Sequence, residues 1–319
     1  MNRTQKNQIL STIGLLDKAH GALKKAMETG NTDIALTLME QCQDSAIQIG
    51  GMIEEAEGED FVTVGFLENY CEMIYQYYEQ IRQQQSVNAG KVSKNLRRQL
   101  IQIENSVKND ISVRTSVVFL PYKASMWDSL ESVWKAADAD PDCDAYVIPI
   151  PYFDKNPDGS FREMHYEGDL YPDYVPVVPW EEYDLEAEHP DVIYIHNPYD
   201  ECNHVTSVHP YFYSKNLRNY TDELVYIPYF ILNEIEPDNQ AAIDKMKHFC
   251  FIPGTLYANR VIVQSENIRQ IYINEFIKVS REMGLSGEYV DRKFLEKKFL
   301  GLGSPKIDKV LSAKKEDYI

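Results

Sequence analysis

No proline occurs before Pro121, and all 15 prolines of this 319-residue chain lie from that point on. Interior proline removes a backbone donor and clashes with the preceding turn, so its absence from the first 110 residues leaves long helices unopposed there. No window approaches the roughly 18 consecutive apolar residues of a spanning helix. The N-terminus, Met-Asn-Arg-Thr-Gln-Lys-Asn-Gln, carries no apolar stretch after its charges, as a secretory leader would. The five cysteines, Cys42, Cys71, Cys143, Cys202 and Cys250, are scattered, odd in number and without a C-x-x-C pair. That argues against a disulfide framework and a structural zinc site. Positive charge is also scarce: 32 Lys and Arg stand against 50 Asp and Glu, a formal net charge of -18. Such a chain repels nucleic acid and anionic membrane non-specifically, while a local basic pocket remains open to a phosphorylated substrate. The expected setting is cytoplasmic, with the inner membrane face as the place of action if the chain serves an envelope pathway.

What is present divides the chain near residue 110. In residues 1–110, apolar residues recur at helical spacing: Ile9, Ile13, Leu16 and Leu23, then Ile34, Leu38, Ala46, Ile49 and Ile53. A third helix is predicted over about 63–84, with Phe66, Leu67, Tyr70, Ile74 and Tyr77 inward. A fourth is predicted over about 88–109, with Val92, Leu96, Leu100, Ile103 and Val107 inward. One apolar stripe per helix predicts an antiparallel helical bundle.

Residues 111–319 alternate strand-like and helix-like segments. Strands are expected over 113–120, 145–149, 192–195, 224–229, 260–264 and 298–301. Helices are expected near 126–137, 210–217, 239–256 and 267–279, with a short one from Pro305. This alternation predicts βαβ units in one Rossmann-like, doubly wound parallel sheet, giving an α/β class overall. Residues 154–188, rich in Pro, Gly, Tyr and acids, read as a long excursion over that sheet.

Several places bear chemistry. His196 ends a strand-like run, where ligands of open parallel sheets bind, and an imidazole is suited to act as a general base. The alternative is a histidine hydrogen-bonded within its loop. Lys123 follows the first strand and opens a helix, a position favouring anions, with a solvated lysine as the alternative. Gly303 and Ser304 precede Pro305 at a helix start with free backbone N–H groups, though the spacing fits neither the P-loop nor the dinucleotide fingerprint. The fingerprint is also missing after the first strand, which disfavours NAD, and no cofactor is expected. The run Asp138-Ala-Asp140-Pro-Asp142-Cys-Asp144 lacks the glycine and glutamate of a calcium loop and reads as a turn. His204 and His209 share no helix-face spacing with His196, so no metal is expected. Trp127 and Trp134, seven apart, read as core.

Four phrases together resemble the CDP-glycerol glycerophosphotransferase-like family of teichoic acid synthesis: Val-Ile-Tyr-Ile-His196-Asn197-Pro198-Tyr199-Asp200, Leu224-Val-Tyr-Ile-Pro-Tyr229, Asn259-Arg-Val-Ile-Val-Gln264-Ser265 and Gly301-Leu-Gly303-Ser304-Pro305-Lys306-Ile-Asp308. The last is similar to the family's G-x-P-R-N-D element, with Lys306 for its arginine. The likeness covers about 118–311 and leaves the helical region unexplained. It implies the first half of a GT-B fold, the acceptor side of an enzyme moving glycerol phosphate from CDP-glycerol, or another nucleotide-activated donor, to a polyol-phosphate or glycan acceptor. His196 takes the place of the acceptor-activating base. Lys123, Asn197, Tyr199, Tyr229, Ser304 and Lys306 are the implied substrate contacts. The family's histidine is followed by glycine, where Asn197 stands here. The donor would need a second Rossmann-like half, without which the chain is expected to be inactive. Two alternatives stay open: a non-catalytic binding or scaffold module whose helical bundle mediates self-association or docking to a partner enzyme, and a GT-B glycosyltransferase using a nucleotide sugar.

Overall fold

The computed structural model describes residues 1–312 and divides into two compact units, with the boundary between Arg114 and Thr115. The first unit is four helices: α1 (Arg3–Glu28), α2 (Thr32–Glu57), α3 (Val62–Arg82) and α4 (Ala89–Asn109). Asn2 starts α1 with a capping box, its side chain accepting the Gln5 N–H at 2.7 Å while Gln5 accepts the Asn2 N–H at 3.2 Å. The helices are antiparallel neighbours in a closed ring. The α-amino group of Met1 pairs with Glu57 at the end of α2, and Lys6 donates to the carbonyls of Lys108 in the last turn of α4 and Ile111 just beyond it. Thr63 at the start of α3 meets Ser106 near the end of α4.

The expected stripes hold on α1 and α4. On α2 the inward row is Ala35, Met39, Cys42, Ala46, Ile49 and Ile53, whereas Ile34 is 55% exposed. The four-three spacing that keeps a row on one face selects the phase of Ala35 and Met39, so the more apolar Ile34 is left one position outside it. No helix among the described residues is long and apolar enough to cross a membrane.

The second unit is built on a six-stranded sheet in which every pairing is parallel: β1 (Thr115–Leu120), β2 (Cys143–Val147), β5 (Val192–Ile195), β7 (Glu223–Tyr226), β8 (Arg260–Val263) and β9 (Phe299–Gly301), in the order β2-β1-β5-β7-β8-β9. Its strands are apolar on both faces, as a sheet covered on two sides requires. Val118, Leu120, Ile193, Ile195, Leu224 and Tyr226 enter one core, while Val117, Phe119 and Val225 enter the other. The strand order reverses between β1 and β5. Ligands of open α/β sheets bind beyond the carboxyl ends of strands at such a reversal.

The region 154–188 is more ordered than a plain excursion. A hairpin, β3 (Tyr152–Lys155) with β4 (Phe161–His165), joins β6 (Thr206–Val208) in a separate antiparallel sheet. The region then passes through the short α6 (Leu185–Glu188). The helix expected near 126–137 is a 3-10 turn, Ala124–Ser129, followed by α5 (Glu131–Asp138). In place of a helix at 210–217 there is a 3-10 turn followed by α7 (Ser214–Leu217). The stretch near 239–256 splits into α8 (Gln240–Met246), a 3-10 turn and α9 (Pro253–Tyr257), because Pro253 cannot sit in a helix interior and instead begins one. Further along come α10 (Glu266–Glu282), α11 (Arg292–Lys298) and α12 (Pro305–Ser312). The run of acids before β2 is a self-bonded turn, with Asp140 accepting the backbone N–H groups of Asp142 and Cys143.

Candidate functional site

Beyond the carboxyl end of β1 the chain runs Pro121-Tyr122-Lys123, and beyond β5 it runs His196-Asn197-Pro198-Tyr199. The reversal point of the sheet therefore brings Lys123 and His196 to the same crevice.

His196 is completely buried. Its Nε2 accepts the backbone N–H of Tyr122 at 3.0 Å, and its Nδ1 lies 2.9 Å from Ser129 Oγ. The Ser129 hydroxyl donates to the Met126 carbonyl, so the tautomer consistent with all three bonds carries its proton on Nδ1. Burial lowers the imidazole pKa to about 3, and the nearby Lys306 cation acts in the same direction. The ring is neutral at physiological pH and both nitrogens are engaged. A base needs a lone pair aimed at the substrate proton, and here that lone pair receives a backbone N–H. The geometry fits the loop-bonded alternative for this histidine: it ties the end of β5 to the loop after β1 and to the 3-10 turn.

Around the ring lies an aromatic cluster. Tyr122 packs edge-on against His196, Tyr152 and Tyr229, with centroids 5.4, 5.5 and 6.3 Å away. Burial, reinforced by the neighbouring Tyr229 hydroxyl, pushes the Tyr122 and Tyr199 phenols well above their usual range, so both stay protonated donors. Lys123 Nζ stands 4.8 Å from the Tyr152 ring centroid and 5.6 Å from that of Tyr122. Among the described residues it has no carboxylate partner. Glu167, from the region after the hairpin, fixes this corner without pairing with the lysine. One of its oxygens accepts the Ala124 N–H at 2.8 Å, and the other accepts the Tyr152 hydroxyl at 2.8 Å. Asn197 is buried next to His196, while Tyr199 and Tyr229 are half-buried.

Ser304 and Lys306 reach the same region from β9 and α12. Lys306 pairs with Asp128 at 2.5 Å, one residue before the serine that bonds His196. Its charge is thus neutralised within the protein. Ser304 lines a cleft of about 510 Å³ together with Tyr194, Ile227, Ile262 and Asp308, and its buried hydroxyl has no partner among the described residues. Of the predicted contacts, Lys123, Tyr199 and Tyr229 gather at the reversal point, Ser304 sits at the adjoining cleft, and Lys306 acts as a strut.

Two residues here lack a sequence signal. Asp200 is 1% exposed at a positive φ of 46° and accepts both the backbone N–H and the hydroxyl of Ser214, at 2.8 and 2.7 Å. Burial raises its carboxyl pKa to about 7. Glu167 looks like one acid among many in its region, and only the fold reveals that it sits beside Lys123. The chain matches no protein-family model, no curated protein and no solved structure.

Proposed function

We propose that the α/β unit is the acceptor-binding half of a glycerophosphotransferase-like enzyme, with a polyol phosphate as the acceptor. The observation that carries this reading is Lys123. It is a cation without a carboxylate partner among the described residues, in a chain of net charge -18, held against two tyrosine rings at the reversal point of a parallel sheet. A phosphate there would receive a charge-assisted bond from Lys123, while the Tyr199 and Tyr229 hydroxyls would meet the polyol. The likeness of the strand-end phrases to CDP-glycerol glycerophosphotransferases supports the substrate class. In this reading His196 is a positioning residue that sets the backbone preceding Lys123.

The test is a binding panel on the whole chain by calorimetry: glycerol 3-phosphate, a short poly(glycerol phosphate), glycerol, CDP and a UDP-sugar. The reading expects both phosphorylated polyols to bind and glycerol not to. Binding of the UDP-sugar alone would turn the assignment to a nucleotide-sugar glycosyltransferase. Absence of polyol-phosphate binding would overturn it. A second reading, a non-catalytic binding module, is favoured by the engaged state of both His196 nitrogens. It expects the same binding with no glycerol phosphate transfer from CDP-glycerol in any assembly of the protein.

A further inference from the structure

The β3–β4 hairpin carries a group of side chains that the acceptor reading does not use. Its register pairs Tyr152 with His165 and Phe153 with Met164, then shifts so that Lys155 meets Phe161. The shift leaves Arg162 and Glu163 together opposite the single residue Asp154, a β-bulge of the kind that re-aims side chains. As a result, one donor atom each from Asp154, Glu163 and His165 lies within 4.8 Å of the others. His165 Nε2 is 3.1 Å from Asp154 Oδ2. The hairpin is partly open to solvent, so an ion could reach the three atoms without the core opening.

We propose that Asp154, Glu163 and His165 bind a divalent transition-metal ion, with zinc preferred and manganese accepted. One imidazole nitrogen and two carboxylate oxygens suit zinc, which takes nitrogen and oxygen ligands at about 2.0–2.2 Å. An imidazole donor disfavours magnesium and calcium, which prefer all-oxygen sets. Ligand atoms around a tetrahedral ion at that radius stand about 3.4 Å apart, so side-chain rotation closes the site without moving the strands. Glu163 is exposed and has no ion pair among the described residues. The Asp154–His165 hydrogen bond would give way to the metal. Arg162 Nη2, now 2.9 Å from Asp154 Oδ2, is the competing cation. A fourth coordination position would remain for water or a ligand oxygen. The site adjoins the lysine corner, because the His165 ring stacks on Tyr152 at 5.0 Å, but the proposal does not depend on what Lys123 binds.

The bland counterpart is an ion-pair cluster that braces a hairpin, and the experiment separates the two. The whole chain is stripped with EDTA and titrated with zinc alone by calorimetry, then with cobalt while its visible spectrum is read. The site expects one equivalent of zinc bound and a cobalt spectrum free of thiolate charge transfer, which excludes the cysteines as ligands. His165→Ala and Glu163→Gln should each weaken zinc binding at least tenfold, with melting in EDTA unchanged for Glu163→Gln, whose side chain is exposed and has no ion pair among the described residues. Arg162→Ala should tighten binding, since it removes the competing cation. No bound equivalent, equal affinity in the His165 and Glu163 variants, or weaker binding in Arg162→Ala would overturn the site.

Discussion

The Nε2 atom of His196 accepts the backbone N–H of Tyr122 at 3.0 Å, joining the end of β5 to the loop after β1 where the strand order reverses. That bond fixes the backbone immediately before Lys123. It also occupies the nitrogen on which the catalytic reading of this histidine depends.

A ring held this way should not titrate in the neutral range. The pKa near 3 that burial imposes predicts a His196 imidazole whose NMR shifts stay constant from pH 8 down to about 5. A midpoint near 6.5 would show an accessible ring and return the base role to it. Replacing it with alanine leaves a cavity and an unpartnered Tyr122 N–H, which should cost about 2–4 kcal/mol by denaturant unfolding.

His20 makes the analogous prediction in the helical unit. Its Nε2 meets the Tyr70 hydroxyl at 2.6 Å, and burial lowers its pKa to about 4. The unfolded imidazole, near 6.5, takes up a proton that the folded one refuses. Its contribution to stability is therefore full above about pH 6.5 and is lost as pH falls toward 4, at up to about 1.4 kcal/mol per pH unit. Denaturant unfolding of the wild type and His20→Leu across pH 4–7 checks this, and the variant should show the shallower slope.

In the α/β unit two buried groups, His196 and Asp200, oppose each other as pH falls. The His196 contribution is lost as pH falls below about 6.5. Asp200, raised to about 7 by burial, favours the folded state at low pH and loses that contribution as pH rises from about 4 to 7. Asp200→Asn keeps the hydrogen-bonding shape and tolerates the positive φ, but it removes one side of the balance. The variant should show a steeper loss of stability between pH 6.5 and 4 than the wild type.

Gly254 is required by a close approach. Its N–H donates to the Pro198 carbonyl at 2.8 Å. A Cβ there would come within 2.8 Å of Pro198 Cα, which is backbone and cannot swing aside. Gly254→Ala should destabilise the chain by about 1–3 kcal/mol and shift the NMR signals of Asn197 and Tyr199.

The parallel sheet was legible because its strands are buried on both faces and so stand out as apolar runs. The bundle was legible because Leu96, Leu100, Ile103 and Val107 repeat with helical spacing. The β3–β4 hairpin was not, since Phe161–His165 is almost entirely exposed and carries no apolar alternation to betray a strand. For the site, the strand-end position of His196 could be read from its neighbours in sequence. Its state could not, because that depends on Tyr122 and Ser129, each more than 60 residues away. Lys306 resembled a phosphate contact until the fold set it against Asp128, and no local pattern announces that pairing.

The central claim is that Lys123 holds the phosphate of a polyol-phosphate acceptor, and the most direct measurement is calorimetric titration of the wild type and Lys123→Met with glycerol 3-phosphate at low and moderate salt. Lys123 has no carboxylate partner among the described residues, and methionine keeps an apolar stem against the Tyr122 and Tyr152 rings, so the variant should melt close to the wild type. It should bind about 10–100-fold more weakly, the worth of one charge-assisted hydrogen bond, and its affinity should depend less on salt. Equal affinity in the two proteins, or no binding by the wild type, would contradict the account.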